Sequence, residues 1–535
     1  MRDAARGLLR PLAGRSYGRP LLRRTAAIEH LVIVPPDLRA VDPGFLDEVR
    51  DGQFGVDGFV VEIGDGGPFD VTDAPAAWHA ALHGFGWLRH LDASGTVDAE
   101  TFARDTIDAW LAAAHTDTDV HAAACRNAPG VLARRVLSWL AHAGLILDAA
   151  NRTRYDAVMG ALARDIRRLD RSWRKTDSGE ARLTAAIARV QARLSTGATD
   201  ARRQRAERDL ARELETQILA DGGHISRNAD VLVRLMFDLL PLRQCYQARQ
   251  IVVPVPLFSA MSRIVPYLRF MRLGDGSLAR FNGGGHASAD ALATIVGYDA
   301  PRHAAPVSAA ASGYVRLTAK ATVVIADVGP PPPPAHAFEA HAGCLSFEMS
   351  DVGARLFSHP RRTSAAADVR DTHWHSTVSL DGASSAMLPT GGAALVMPGA
   401  VHALAAADDG RSAAAVHAGF ADKFGVDHTR RLTLSDDGTS LDGVDLLVPV
   451  KGMPPTRCLF AVHFHIDRAV AVRRGEQAGT VVLTPPGGAP WHFVADAALL
   501  AIEAGAQSGL QIVLRGACDT ASGPLAITWA IKRQS

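Results

Sequence analysis

Between about residues 75 and 272, apolar side chains recur every three or four positions. Tyr155, Met159, Leu162, Ile166, Leu169 and Trp173 mark one stretch, and Leu183, Ile187, Val190 and Leu194 the next. That spacing puts them on one face of a helix, so this half is predicted to be helical. Short breaks punctuate it: Asn127-Ala128-Pro129-Gly130 precedes a helical stretch from Val131 to Leu147, and Thr196-Gly197-Ala198 precedes a charged one from about Asp200 to Leu219. Regular punctuation of this kind predicts successive antiparallel pairs, stacked as a bundle or closed into a ring.

Beyond about residue 310 the period falls to two, as in Val315/Leu317, Leu345/Phe347/Met349, Val378/Leu380, Val462/Phe464/Ile466 and Ile512/Leu514. Turn pairs such as Asp381-Gly382, Asp409-Gly410 and Asp437-Gly438 separate these runs. Alternation with such turns predicts a large antiparallel β-sandwich. Residues 330 to 334 are consecutive prolines, excluded from helix interiors and central strands, and are read as an extended connector between two strands at the sandwich surface. Near the start, Leu31 to Val34, the turn Pro35-Pro36-Asp37 and Gly58 to Ile63 predict short strands, leaning as a hairpin on the helical domain. The expected division is therefore 1–66 as an arm with short strands, 67–305 as the helical domain and 306–535 as the sandwich, an α+β multidomain chain.

Composition narrows the class. With 535 residues, 47% hydrophobic, and 57 basic against 56 acidic side chains, the chain has material for large cores and no polyelectrolyte bias toward nucleic acid. Only five of the basic residues are Lys, leaving 52 Arg; the heavy use of Ala and Gly beside them points to GC-rich codon usage, so this excess alone indicates no anionic ligand. Cys125, Cys245, Cys344, Cys458 and Cys518 are odd in number and widely spaced, which fits neither a disulfide framework nor a zinc knuckle. The first 24 residues hold seven Arg without an apolar stretch after them, and no run approaches a membrane span. A cytoplasmic location is the expectation, with the periplasm as the alternative.

Three constellations offer chemistry. Asp221-Gly222-Gly223-His224-Ile225-Ser226-Arg227-Asn228 falls between two predicted helices, where a glycine pair lets backbone approach a ligand and where His224, Arg227 and Asn228 supply a base, a cation and an amide. The plain alternative is a helix stop at the glycines and an N-cap at Asn228. Arg280-Phe281-Asn282-Gly283-Gly284-Gly285 lacks the pattern and the strand-to-helix context of a phosphate loop. Asp371-Thr372-His373-Trp374-His375 and Val462-His463-Phe464-His465 each place two imidazoles on one face if already in strands; zinc in the sandwich is conceivable from such pairs, but no completing ligand stands out, and neither a metal nor another cofactor is assigned. His83 and Trp87, among interleaved aromatic and basic residues from Trp78 to His90, offer a flat face and a donor for a sugar ring.

In this order the segments "LHGFGWLRHL" (Leu82 to Leu91), "ILADGGHISRN" (Ile218 to Asn228), "LRFMRLGDGSLARFNGGG" (Leu268 to Gly285), "AHAGCLSFEMS" (Ala340 to Ser350) and "HSTVSLDG" (His375 to Gly382) resemble the heparinase II/III-like polysaccharide lyase family. The resemblance implies an incomplete (α/α) toroid followed by an antiparallel β-sandwich, and β-elimination on an acidic, uronate-containing polysaccharide of the heparin or heparan sulfate kind. That reaction neutralises a carboxylate, removes the C5 proton and protonates the departing O4. By the family's motifs, His224 and His375 would transfer protons, Arg227 or Asn228 would hold the carboxylate, and Arg280 and Asn282 would line the cleft. Relatives carry an acidic residue where Arg227 stands, and no tyrosine occurs from Gly274 to Gly285; Tyr267 is taken as the phenol, with Tyr246 the other neighbour. Two alternatives remain. One is a glycan-binding protein that has lost catalysis; the other is a toroid glycoside hydrolase, which needs two facing carboxylates.

Overall fold

The structure is a computed structural model. It describes residues 28–534 apart from 65, 117–119, 149, 177–178, 299–307, 362–368, 388–394, 397–398, 407–409 and 506–508. The arginine-rich arm therefore lies outside the described residues.

The helical half is an incomplete toroid of antiparallel helices running from Ala76–Gly84 to Ala289–Gly297. At its centre lies Glu180–Ser195, which packs against Pro129–Ala141, Asp200–Gln217 and Ala229–Ala248. Its Leu183, Ile187, Val190 and Leu194 are fully buried, as the 3.6-residue period requires. One boundary differs from expectation, and one helix runs through a proline. The stretch from Val131 to Leu147 breaks at His142, whose Nδ1 lies 2.7 Å from Asp92. The helix after Asn228 continues to Ala248 through Pro241.

The hairpin near the start also forms elsewhere than expected. Its strands are Gln53–Val56 and Phe59–Glu62, joined by Asp57 and Gly58 with φ of 53° and 76°, the left-handed pair of a tight hairpin turn. Leu31 to Val34 is not a strand; Val32 donates its amide to the Ser195 carbonyl instead.

The C-terminal half is a two-layered antiparallel sandwich. One layer is an eight-stranded sheet running in space from Ala471–Arg474 to Val401–Ala406, with Leu525–Arg533 and Ser440–Pro449 at its middle. The other combines a five-stranded sheet (Ser308–Ala309 to Ala354–Phe357) with a four-stranded one (Leu500–Ala504 to Val378–Leu380), linked by a bridge between Phe357 and Ile466. Aromatic rings join the layers. Trp529 of the large sheet lies 5.5 Å from Phe347 and 4.8 Å from Phe464, one on each of the smaller sheets. Below Trp529, Gly443 leaves room that a Cβ would fill at 2.1 Å from the indole.

Among the buried cations that join the two halves is Arg227. Arg227 donates to the carbonyls of Ser312 (2.6 Å), Gly313 (3.1 Å), Gly329 and Pro330 (2.7 Å) and to Asp327 Oδ1 at 2.5 Å. Tyr314 closes the arrangement, its ring 4.6 Å from the guanidinium and its hydroxyl donating to the Arg227 carbonyl. The proline run thus reaches the toroid instead of lying free on the sandwich surface, because its leading carbonyls are Arg227 acceptors.

Truncating one partner of a buried pair leaves an uncompensated charge, which costs about 3–5 kcal/mol. Arg227→Met is expected to lower the urea midpoint by a corresponding amount, and Arg227→Lys to recover little, since one ammonium cannot reach five acceptors.

Candidate functional site

The glycine-rich loop after Asp200–Gln217 is held from two sides. Gly222, at φ 91°, passes so close to the helix Val255–Phe270 that a Cβ would meet the Arg263 carbonyl oxygen at 2.1 Å, so only glycine fits. Asp221 accepts from the Gly223 amide with one carboxylate oxygen and from the Ser312 amide and hydroxyl with the other. This ties the loop to the sandwich and turns His224 inward. Asn228 caps the following helix by accepting from the Asp230 amide, and its amide nitrogen donates to Glu339 at 3.3 Å.

His224 faces a cavity of about 380 Å3 between the halves, shared with Arg134 and Glu180 of the toroid and with His336, Phe338 and Glu339 that follow the proline run. The ring of His336 lies 6.4 Å from that of His224 and rests on Gly179, with 3.3 Å to the point where a Cβ would stand. Opposite charges fix the carboxylate and guanidinium in place: Arg134 is bidentate on Asp238 (2.8 and 3.0 Å) and Arg234 on Glu180 (2.6 and 2.5 Å). Phe338 is half exposed at the rim.

The protonation of His224 follows from its neighbours. Gln217 donates its amide nitrogen to Glu213, so its oxygen accepts from His224 Nε2–H at 3.1 Å. Nδ1 then accepts from the Ser226 amide and hydroxyl, at 3.1 and 2.7 Å. Burial lowers its pKa to about 3, and the ring is neutral with both nitrogens engaged.

The other expected residues lie elsewhere. His375 does not line this cavity. It follows a short 3-10 turn, Thr372–Trp374, instead of sharing a strand face with His373. Its Nδ1 donates to the Asp371 carbonyl and its Nε2 accepts from His341 Nδ1 at 2.9 Å, beside the His359 ring. Burial drives its pKa well below the ordinary value, with the neighbouring imidazoles adding to the effect. Tyr267 is fully buried against Gly223 and Phe270, and burial raises its phenol; Tyr246 is buried and raised likewise, donating to Glu207. Arg227 is consumed by the domain junction. Asn282 donates to the Tyr314 hydroxyl and accepts from the His341 amide, which makes it a structural bracket. Arg280 lines a different cavity with Arg361, Asp467 and Arg468.

Trp87 and His83, read as sugar-binding residues, are core. Trp87 is 1% exposed among Phe45, Phe54 and Phe85, and His83 stacks on Phe69 while accepting from Trp110 Nε1. His463 and His465 do share a face, but Ser379, Gln511 and the His373 carbonyl take their nitrogens. Among the described residues no three His, Cys, Asp or Glu side chains are grouped to hold a metal ion.

Sequence reasoning missed His336, Phe338 and Glu339. The available signal was the proline run itself, a stiff spacer that delivers whatever follows it to a defined place.

Comparison with known proteins matches this architecture. The family profile described as "Heparinase II/III-like, C-terminal" covers residues 301–511. FtsZ-localized protein C of Caulobacter vibrioides (strain NA1000 / CB15N) is 30% identical over 490 residues, 88% of this chain and 83% of that protein. The chain belongs to the heparinase II/III-like family. A crystal structure of heparinase III superposes with a TM-score of 0.71 at 13% identity, covering 94% of this chain and 87% of that one. The heparan sulfate lyase HepC of Pedobacter heparinus gives 0.61 at 14% identity, over 93% and 84%. Both likenesses are in fold.

The neutral buried imidazoles predict that stability falls in acid. His83, His224 and His465 fall to about 3 and His463 to about 4, chiefly by burial. Because the unfolded chain binds protons near pH 6.5 and the folded chain only near 3 to 4, the stability these rings contribute is present above about pH 6.5 and is lost as pH falls below it. Each ring accounts for about 2 kcal/mol between pH 7 and pH 5. Urea midpoints measured across that interval are expected to fall steeply; a flat profile would show that the rings are protonated in the folded chain.

Proposed function

We propose that this protein recognises a glycan in the junction cavity without cleaving it by β-elimination. The reading rests on one observation: the cavity presents a half-exposed phenylalanine face and the carboxylates Glu180 and Glu339, yet neither a phenol nor a His224 nitrogen with a vacant valence. An aromatic face takes the apolar side of a pyranose, and carboxylates accept from its hydroxyls. A cavity of about 380 Å3 is within the ordinary range of small-ligand sites. Removing a C5 proton needs a base within hydrogen-bond reach, and the residues expected to supply it are buried under other partners. The Arg134 charge is already met by Asp238, which weakens the fit to a uronate and favours a neutral or amino sugar.

Turnover is the second reading, and one feature favours it. His336 Nδ1 is buried without a hydrogen-bond partner beside the cavity, and burial lowers the pKa of this imidazole, keeping it neutral. Glu180 and Glu339 stand on opposite halves, and hydrolysis calls for two facing carboxylates.

The likeness to FtsZ-localized protein C supports a further part of the proposal, that the glycan-binding unit works in the cytoplasm at FtsZ assemblies. Co-sedimentation with polymerised FtsZ is the expected result, and a chain that stays in the supernatant would remove this part.

A panel of neutral, amino-sugar and uronate oligosaccharides tests the main reading. Binding is expected without ultraviolet-absorbing unsaturated ends or new reducing ends, and Phe338→Ala and Glu339→Gln should each weaken it about tenfold. Unsaturated ends from a uronate oligosaccharide would establish a lyase; new reducing ends lost in Glu339→Gln would establish a hydrolase.

A further inference from the structure

A cavity of about 880 Å3 lies away from the junction, between the helices Arg152–Ser172, Glu180–Ser195 and Asp200–Gln217, and shares no lining residue with the glycan cavity. Seven arginines line it against Glu29, Asp170 and Asp209. Three of these arginines are held by the two aspartates. Arg189 reaches Asp170 at 3.0 Å and Asp209 at 2.9 Å, Arg193 pairs with Asp170, and Arg174 meets Asp209 at 3.0 Å. Arg174 and Arg189 also cover the faces of Trp173, at 5.0 and 4.6 Å. The floor is therefore rigid and presents no free aromatic face.

The other four, Arg167 and Arg171 on one helix and Arg202 and Arg205 on another, have no carboxylate within ion-pair distance among the described residues. Solvated arginines on a convex face would call for no explanation. Here two pairs converge on one concavity, where their mutual repulsion opposes folding unless an anion offsets it. The helix Asp200–Gln217 begins at the same wall: Ala198 and Thr199 line the cavity, and the Thr199 side chain makes no capping hydrogen bond. Backbone N–H groups at a helix start favour an anion with several acceptor oxygens, and guanidinium forks match phosphate two bonds at a time.

We infer that this cavity is a second ligand site, specific for a soluble compound carrying two or more linked phosphates. Charge concentrated around one open concavity distinguishes it from an extended acidic peptide, which would spread its carboxylates beyond the reach of both arginine pairs. The inference is independent of the glycan reading.

Calorimetric titration of the full chain with tripolyphosphate at low salt tests it. Saturable binding is expected, weakening as salt rises. Arg167→Gln/Arg171→Gln and Arg202→Gln/Arg205→Gln should each reduce affinity about tenfold or more, while Arg473→Gln/Arg474→Gln, on an exposed strand, should change nothing. Where a double change lowers the melting temperature, Arg171→Gln and Arg205→Gln alone, both on exposed side chains, should still give about a threefold loss. A hexaglutamate peptide should bind at least about tenfold more weakly than tripolyphosphate. Absence of binding, cavity variants indistinguishable from the parent, or a peptide that binds as tightly would each overturn the assignment.

Discussion

A buried guanidinium is one of the main ties between the two halves. Arg227 leaves the toroid at a left-handed backbone position, φ 60°, and its five donors are spent on four sandwich carbonyls and Asp327. Burial penalises the charge, and the Asp327 carboxylate outweighs that penalty and holds it protonated. Because Gly329 and Pro330 are among the acceptors, the proline run starts from a fixed point. His336, Phe338 and Glu339 follow that point and line the junction cavity against the toroid.

The same constraint bears on which side chains are free to meet a ligand. A side chain saturated as a clamp between domains is not free to hold a substrate carboxylate. Asn282, bracketed between Tyr314 and the His341 amide, and His375, bonded at both nitrogens, are likewise committed to structure. Within this scaffold Arg227, Asn282 and His375 make hydrogen bonds that hold its packing together. What faces the cavity instead is two imidazoles, two carboxylates and a phenylalanine, the set on which the glycan proposal rests.

Charge is distributed unevenly for a chain so close to neutrality. The junction cavity pairs Arg134 with Asp238 and Glu180 with Arg234, whereas the cavity beside Trp173 is lined by four guanidiniums without a carboxylate partner among the described residues. Codon usage accounts for the number of arginines, and their convergence in a concavity is a property of the helix packing. Two cavities of different electrostatic character on one molecule are consistent with two ligands of different charge.

Much of this was legible in the chain. The change from a 3.6-residue to a two-residue period is a local property, set by which backbone conformation can bury a given apolar pattern, and it determined the helical half, the sandwich and the place of the switch. Asp57-Gly58 also carried its hairpin locally, although the Leu31 to Val34 run, strand-like in composition, drew the assignment away from it. Asn228 was readable as a helix cap for the same reason. Side-chain partnership was not readable: His224 meets His336 instead of His375, and Trp87 lies in the core instead of a cleft. Those outcomes depend on how loops dock between domains and on which hydrogen bonds are already taken, and only the folded chain settles that competition.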